Sequence, residues 1–366
     1  MKIAYCIQDT YRMGGMERIL ALKANYLVKH GYEVVVITTD QQGKSSFYPF
    51  EDMISCYDLN VNYSRAKGRW QYHCCILMHK IKLAELLNEI KADIVVSMFC
   101  QETEFLPKIK DGSKKLLELH YNYSVVMPHL HGLRGLYHYF KNVRRFRNIK
   151  KYDRFIVLTN EDKKSWKGID NIEVIPNSQT FKCFQPAHLD SKRVIAVGRY
   201  HAVKGYDRLI QAWKLVNNEV KDWTLSLVGE GELRESLQKQ IDSLGLSQTV
   251  YLDGVSRNIK EEYLKSSILA MSSIYEGFSM VIVEAMTCGL PVVSFACPSG
   301  PIELVSNERN GFLVKEGGIR ELADKLLYLI NHPNERKKMG AEAFAYSENF
   351  SEERIMSRWI SLFEAL

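Results

Sequence analysis

The chain has 366 residues, 46% hydrophobic and 25% charged, with a formal net charge of +6. That length and balance describe a soluble globular protein of two domains. The longest apolar run, Met280 to Cys297, is broken by Glu284, Gly289 and Pro291, which excludes a membrane span there. The eight cysteines show no zinc spacing, and the adjacent Cys74-Cys75 pair cannot readily close on itself, so the thiols read as reduced and cytosolic.

The chain opens with Lys2–Ile7, an apolar run that stops at Gln8 and Asp9 without a small-residue cleavage site. It reads as a first strand rather than a secretory leader. Further short apolar or β-branched runs follow at Glu33–Thr39, Asp93–Met98, Lys115–Leu119, Arg154–Thr159 and Glu173–Ile175. A helix over Glu17–His30 carries Leu20, Ala24, Leu27 and Val28 on one face. The segment 41–72 has no clear period. Pro176-Asn177 closes this series, and 178–190 reads as a linker.

A second alternation begins at Val194–Val197 and continues with strands at Thr224–Val228, Val250–Leu252, Ile268–Ser272, Val292–Ala296 and Gly311–Val314, with helices between them. Repeated βα alternation implies parallel sheets covered on both faces, here in two doubly wound, Rossmann-like domains at 1–185 and 186–350. The amphipathic C-terminal segment 351–366, with Ile355, Trp359, Leu362 and Phe363, is expected to pack back on the first domain. Ligands of such domains bind at the carboxyl ends of the strands, in a cleft between the two.

Five constellations fall at those strand ends. Gly14-Gly15 precede the first helix, where glycines permit close backbone approach and the helix start suits a phosphate; the alternative is a plain turn. Gly198-Arg199 and Lys204-Gly205 place two cations five apart after a strand, a spacing that can clamp a diphosphate. Gly229-Glu230-Gly231 forms a turn after the next strand, suited to a nucleotide pocket or simply structural. His120 ends the strand Lys115–Leu119, and Cys297-Pro298-Ser299-Gly300-Pro301 is a rigid loop after another.

Beside these five stands Glu276, followed eight positions on by Glu284. The helix expected from Met280 to Met286 starts after the small turn of Gly277, Phe278 and Ser279, and its apolar surroundings make Glu284 a carboxylate that needs a partner. Counted as helix rise, the two acids lie about 12 Å apart, too far for an acid–nucleophile couple. The alternative is one loop glutamate and one helix glutamate without a shared role.

A basic stretch runs from Arg134 to Lys167, with eleven Lys or Arg against three acids and interleaved Tyr137, Tyr139, Phe140, Phe146 and Tyr152. Arg144, Arg145, Arg147 and Lys150 at its centre suit an anionic membrane surface; nucleic acid or plain solvent are the alternatives.

Together, in this order, these motifs resemble the retaining GT-B glycosyltransferases of the group 1 family, also called family four. The resemblance covers nearly the whole chain. It implies that Arg199 and Lys204 hold the diphosphate of a nucleotide-sugar donor. Glu276, with the N–H groups of Gly277 and Phe278 and the Ser279 turn, would hold sugar hydroxyls, and Glu284 the ribose. Gly229, Gly254 and Val255 would flank the base, Gly14 and Gly15 would approach the phosphates, and His120 would contact the transferred sugar. Ser178, where members often carry glycine, is a departure that touches only the linker.

Among site residues, the resemblance makes His120, Glu276, Arg199 and Lys204 the catalytic set. No Asp-x-Asp occurs in the chain, so no metal and no cofactor are expected. The expected activity is retaining transfer of a hexose or N-acetylhexosamine, UDP-linked, to a glycan or polyprenyl- or lipid-linked acceptor in cell-surface polysaccharide synthesis. The expected place is the cytoplasm, peripheral on the inner membrane face, with nucleic acid not a partner. The rivals are a sugar-nucleotide 2-epimerase of the same architecture and a basic nucleic-acid binder.

Overall fold

The computed structural model describes residues 1–128 and 132–366, and within them not the side chains of 132–137. It divides into two units, Met1–Pro176 with Ile355–Leu366, and Asn177–Arg354.

The first unit is built on seven parallel strands: β1 (Lys2–Ile7), β2 (Glu33–Thr38), β3 (Ser55–Asp58), β4 (Ile94–Ser97), β5 (Lys114–Glu118), β6 (Arg154–Val157) and β7 (Ile172–Val174), in the order β3-β2-β1-β4-β5-β6-β7. The second has six: β8 (Arg193–Val197), β9 (Thr224–Val228), β10 (Val250–Gly254), β11 (Ile268–Met271), β12 (Val292–Phe295) and β13 (Gly311–Val314), in the order β10-β9-β8-β11-β12-β13. Central strands such as Ile94–Ser97 and Ile268–Met271 are buried at every position, which is why they read as unbroken apolar runs. In each sheet the strand order reverses at its first strand, between β1 and β4 and between β8 and β11. Loops leaving the carboxyl ends of those strands diverge and leave room for a ligand.

Two elements lie in regions that periodicity did not resolve. Strand β3 sits on the sheet edge with all four residues exposed, so no apolar alternation marks it. The helix Arg69–Ile90 buries only His79, Leu83 and Leu87 of its 22 residues. Its first half meets the core only through the half-buried Cys75 and Ile76 and the buried His79.

The boundary between the units also differs from the expected 185/186. Residues from Asn177 onward are laid against the second unit: Gln179 N–H donates to the Phe350 carbonyl at 2.8 Å, Thr180 bonds Glu284, and Ala187 N–H donates to the Cys288 carbonyl at 2.8 Å. From Ile355 the C-terminal helix Glu352–Glu364 belongs to the first unit, where Ile355, Met356, Trp359, Leu362 and Phe363 join the apolar layer of Ile3, Tyr5, Leu20 and Ala24.

Candidate functional site

Three glycine-bearing loops interlock at the ends of β8, β9 and β10. Gly198 N–H donates to the Val228 carbonyl at 3.0 Å, Tyr200 N–H to Glu230 at 2.9 Å, and Gly229 N–H to Gly254 at 2.8 Å. Gly229 has φ 153°, and a Cβ there would stand 2.0 Å from the Gly198 carbonyl oxygen. Only glycine fits so close an approach. Gly254 turns with φ 76°, and Val255 beyond it is exposed.

Lys204 follows this loop, and its Nζ lies 2.7 Å from Glu276 Oε1, which also accepts from Ser273 Oγ at 2.8 Å. The two side chains are 24% and 14% exposed, so a ligand can reach both. Glu276 itself is pinned by its backbone, donating to Pro298 and accepting from Ser299 at 2.9 and 2.7 Å. Thus the loop 297–301 supports Glu276 from below. Among the described residues, the N–H groups of Gly277, Phe278 and Ser279 find no backbone or side-chain acceptor. They form a run of free donors ahead of the helix Met280–Thr287.

Arg199 is placed differently from the expected clamp. Its side chain is 72% exposed, and its Nη2 lies 3.4 Å from Glu232 Oε2, which also draws His201 Nε2 to within 3.6 Å of Oε1. Of the two cations, only Lys204 is brought to Glu276.

Glu284 is buried, taking a hydrogen bond from Thr180 Oγ1 at 2.7 Å and one from the Tyr263 hydroxyl at 3.1 Å. The helix-rise argument for the separation of the two glutamates does not hold. Glu276 to Ser279 lie outside the helix, and Ser279 turns the chain with φ 69°. Different environments separate them instead: Glu276 faces a lysine at a strand end, and Glu284 faces two hydroxyls in the core.

In the first unit, His120 leaves the end of β5 with its ring 6% exposed. Its Nε2 lies 3.2 Å from Glu118 Oε1 but out of line for a hydrogen bond. Glu118 is wholly buried and takes 2.6 and 2.7 Å bonds from Lys23 Nζ, itself 3.8 Å from the ring centre of Trp359. Burial acts to raise the Glu118 carboxyl, but Lys23 and His120 outweigh it and lower it to about 2. Burial lowers the Lys23 ammonium against the pull of Glu118. The contacts from the ammonium to both carboxylate oxygens favour the ionised pair.

Gly14 caps the first helix, Gly15–Lys29, and a Cβ on it would stand 2.0 Å from Glu17 Oε2. Burial raises the Glu17 carboxyl from its ordinary value. Gly14 therefore makes room for an acidic residue of this chain, whereas a Cβ on Gly15 would meet nothing within 4 Å. Glu17 lines a cavity of about 880 Å³ confined to the first unit, with Asp9 after β1, Gln101 after β4 and Tyr121 beside His120.

Sequence reasoning missed Lys23, Glu118, Asp9 and Gln101. A lysine on the apolar face of the first helix, and a carboxylate two residues before a strand-end histidine, were the available signals.

The central cations of the basic stretch divide into two groups. Arg147 on the helix Gly132–Ile149 and Lys150 in the turn just after it are exposed, and Arg144 is 68% exposed while lying 3.0 Å from Glu104. Arg145 turns inward, donating to the Val126 carbonyl and stacking 5.7 Å from the Phe99 ring centre. Burial lowers its guanidinium from the ordinary value. Three of the four cations named for docking are therefore open to solvent, and the fourth satisfies a backbone carbonyl. The side chains of Arg134 and Tyr137 lie outside the described residues. Among the described residues, no helix is long and apolar enough to cross a membrane, and no group of three or more His, Cys, Asp or Glu is placed to hold a metal.

The profile of the family "Glycosyl transferases group 1" matches residues 178–345, and that of "Glycosyltransferase Family 4" matches residues 13–178. The chain is 30% identical over 371 aligned residues to an uncharacterized glycosyltransferase of Haemophilus influenzae, covering 98% of both chains. It is 25% identical to a Campylobacter jejuni α-1,4-N-acetyl-D-galactosaminyltransferase named for a diphospho-undecaprenol-linked glycan, covering 99% of this chain and 98% of that one. Among solved structures, Anabaena HepE in complex with UDP superposes with a TM-score of 0.80 at 20% identity over all of both chains.

Proposed function

The chain belongs to the group 1 glycosyltransferases and has the GT-B fold, and on that premise we propose that it transfers a hexose or N-acetylhexosamine, with retention, from a UDP-linked sugar to a glycan or lipid-linked acceptor. The observation that carries this reading is the Lys204–Glu276 pair at 2.7 Å, set beside the free N–H groups of Gly277, Phe278 and Ser279. The UDP bound by HepE and the lipid-linked acceptor in the name of the Campylobacter enzyme support the choice of donor and acceptor.

In this mechanism the donor diphosphate draws the Lys204 ammonium away from Glu276. Arg199 leaves Glu232 and closes on the same phosphates from solvent. Glu276, released, accepts sugar hydroxyls while the N–H run steadies them. Glu284 keeps its core hydroxyls and offers remaining lone pairs to the ribose, and Gly229, Gly254 and Val255 face the base. His120 meets the transferred sugar. The bond from the anomeric carbon to the diphosphate oxygen breaks as the acceptor oxygen bonds on the same face, and the departing diphosphate oxygen takes the acceptor proton. Charge on the leaving group is met by Lys204 and Arg199 without a metal. Arg144, Arg147 and Lys150 hold the enzyme on an anionic inner membrane face.

A panel of nucleotide sugars followed by thermal shift tests the donor. A UDP-hexose or UDP-N-acetylhexosamine is expected to raise the melting temperature, since a ligand that binds only the folded state stabilises it. Lys204→Ala is expected to remove the shift. An undiminished shift in that variant overturns the site, and epimerisation of the donor alone replaces transfer with the epimerase reading.

A further inference from the structure

Tyr200 and Tyr206 flank the loop that carries Lys204, and only one of them has a partner for its hydroxyl. Both are buried, and their rings meet edge to face with centres 5.8 Å apart. The Tyr200 hydroxyl donates to the Leu227 carbonyl at 2.7 Å. The Tyr206 hydroxyl is closed to solvent and finds no hydrogen-bond partner among the described residues. Phenylalanine would fill the same place without an orphan. The hydroxyl at the start of the helix Tyr206–Glu219 therefore carries a cost that a partner would offset.

That hydroxyl lies beside the stem of Lys204, because a Cβ on Gly198 would stand 3.0 Å from both Tyr206 Oη and Lys204 Cε. A small cavity of about 10 Å³ is found there. Its lining includes Tyr206, Lys204, Ser273 and Glu276 on the polar side and Val197 and Val281 on the apolar side. The volume is near the least that holds one water, and a buried water takes about two to four polar partners. The Glu276 carboxylate accepts, and the Ser273 oxygen keeps a lone pair after donating to Glu276. Burial, then the neighbouring Tyr200 and Glu276, pushes the Tyr206 phenol well up from its ordinary value. It keeps its proton and is a donor.

We propose that this cavity holds one water joining the Tyr206 hydroxyl to the Glu276 carboxylate, and that Tyr206 is thereby a positioning residue for Glu276. Tyr206 donates to the water, and the water donates to the carboxylate. Lys204 and Ser273 donate to the same carboxylate until the donor diphosphate draws Lys204 away. Ser273 and the water then hold it toward the sugar hydroxyls. Without the water, a carboxylate released by its lysine rotates more freely and grips the sugar less well. The role of Tyr206 rests on the transferase reading, and the water does not.

Crystals of the full-length protein and of Tyr206→Phe, at a resolution that orders water, test the first claim. The wild type is expected to show a water within hydrogen-bond reach of Tyr206 Oη and Glu276, and a cavity without that density overturns the proposal. Melting curves give a second check. Phenylalanine relieves the cost of an orphaned hydroxyl, so a higher melting temperature in the variant means a dry cavity and overturns the water, while an equal or lower one supports it.

Calorimetric titration tests the positioning role. UDP is compared with the tightest binder among UDP-glucose, UDP-galactose and their 2-acetamido counterparts. Tyr206→Phe is expected to bind UDP within about twofold of the wild type and to lose about three- to tenfold in affinity for the UDP-sugar. An equal loss for both ligands makes Tyr206 a general support of the fold, and no loss for either leaves Glu276 held without it. Each result overturns the role. A wild type that binds none of the four sugars sinks the UDP-sugar reading and the role with it, while the crystal density still decides the water.

Discussion

The two units repeat one architecture, a parallel sheet whose order reverses at its first strand, yet they handle charge at the site in opposite ways. In the first, Lys23 and Glu118 are wholly buried behind His120 and locked under Trp359. In the second, Lys204 and Glu276 are partly exposed, and Arg199 with Glu232 is largely solvated. A buried pair cannot exchange partners without leaving a bare charge in the core. A half-exposed pair exchanges one carboxylate for a phosphate at small cost. The first arrangement therefore suits holding a ring in place, and the second suits admitting and releasing an anionic substrate.

The largest expected effect comes from breaking the buried pair. Lys23→Met leaves Glu118 uncompensated and is expected to cost about 3–5 kcal/mol in denaturant unfolding, with Lys23→Met/Glu118→Leu recovering most of it. A double variant as unstable as the single would show that the pair is not the source of the loss. Acid acts on the same pair. The Glu118 carboxyl is lowered in the fold from its ordinary 4.5 to about 2, so its contribution is full above pH 4.5 and is lost as the pH falls toward 2. Glu118→Gln is expected to flatten that part of the acid-unfolding profile.

Next in size is Lys204→Ala, expected to lower kcat by about 10²–10³-fold while changing stability by under about 1 kcal/mol. A stability loss as large as that of Lys23→Met would erase the contrast between the units.

A third test uses Glu102, buried in the first unit with Oε1 accepting from Ser97 at 2.6 Å and Oε2 unpartnered. Burial raises its carboxyl from 4.5 to about 7, against the pull of Ser97. The folded protein thus holds this proton more tightly than the unfolded chain, and stability falls as the pH rises from 4.5 through 7. Glu102→Gln is expected to stabilise by about 1–3 kcal/mol at pH 8 and hardly at pH 4. The same gain at both pH values would mean the proton is not involved. The smallest effect is that of Arg199→Ala, a rise of about two- to fivefold in donor KM without loss of stability, as for a solvated pair worth under about 1 kcal/mol.

Most strands were legible because both faces of a parallel strand are buried, so runs such as Val34 to Ile37 and Leu225 to Val228 stand out against polar flanks. Strand β3 and the helix Arg69–Ile90 were not, because little of either touches the core. At the site, the glycines at 198 and 229 and the acid at 276 were visible by type and spacing, and Gly254 only through the family resemblance. The partners of those residues were not visible: Glu232 for Arg199, Thr180 and Tyr263 for Glu284, and the Val126 carbonyl for Arg145.

By itself, the amino-acid order determined the βα alternation, the two-unit plan and the positions where backbone must pass close to backbone, since these follow from local burial and from the room a missing Cβ leaves. Only the tertiary structure decided which charges are locked and which are free. Lys23 and Glu118 are 95 residues apart, and Lys204 and Glu276 are 72 apart. Whether such a pair is buried or open depends on how the sheet brings distant strand ends together and what covers them, here a tryptophan from the C-terminal helix in one unit and solvent in the other.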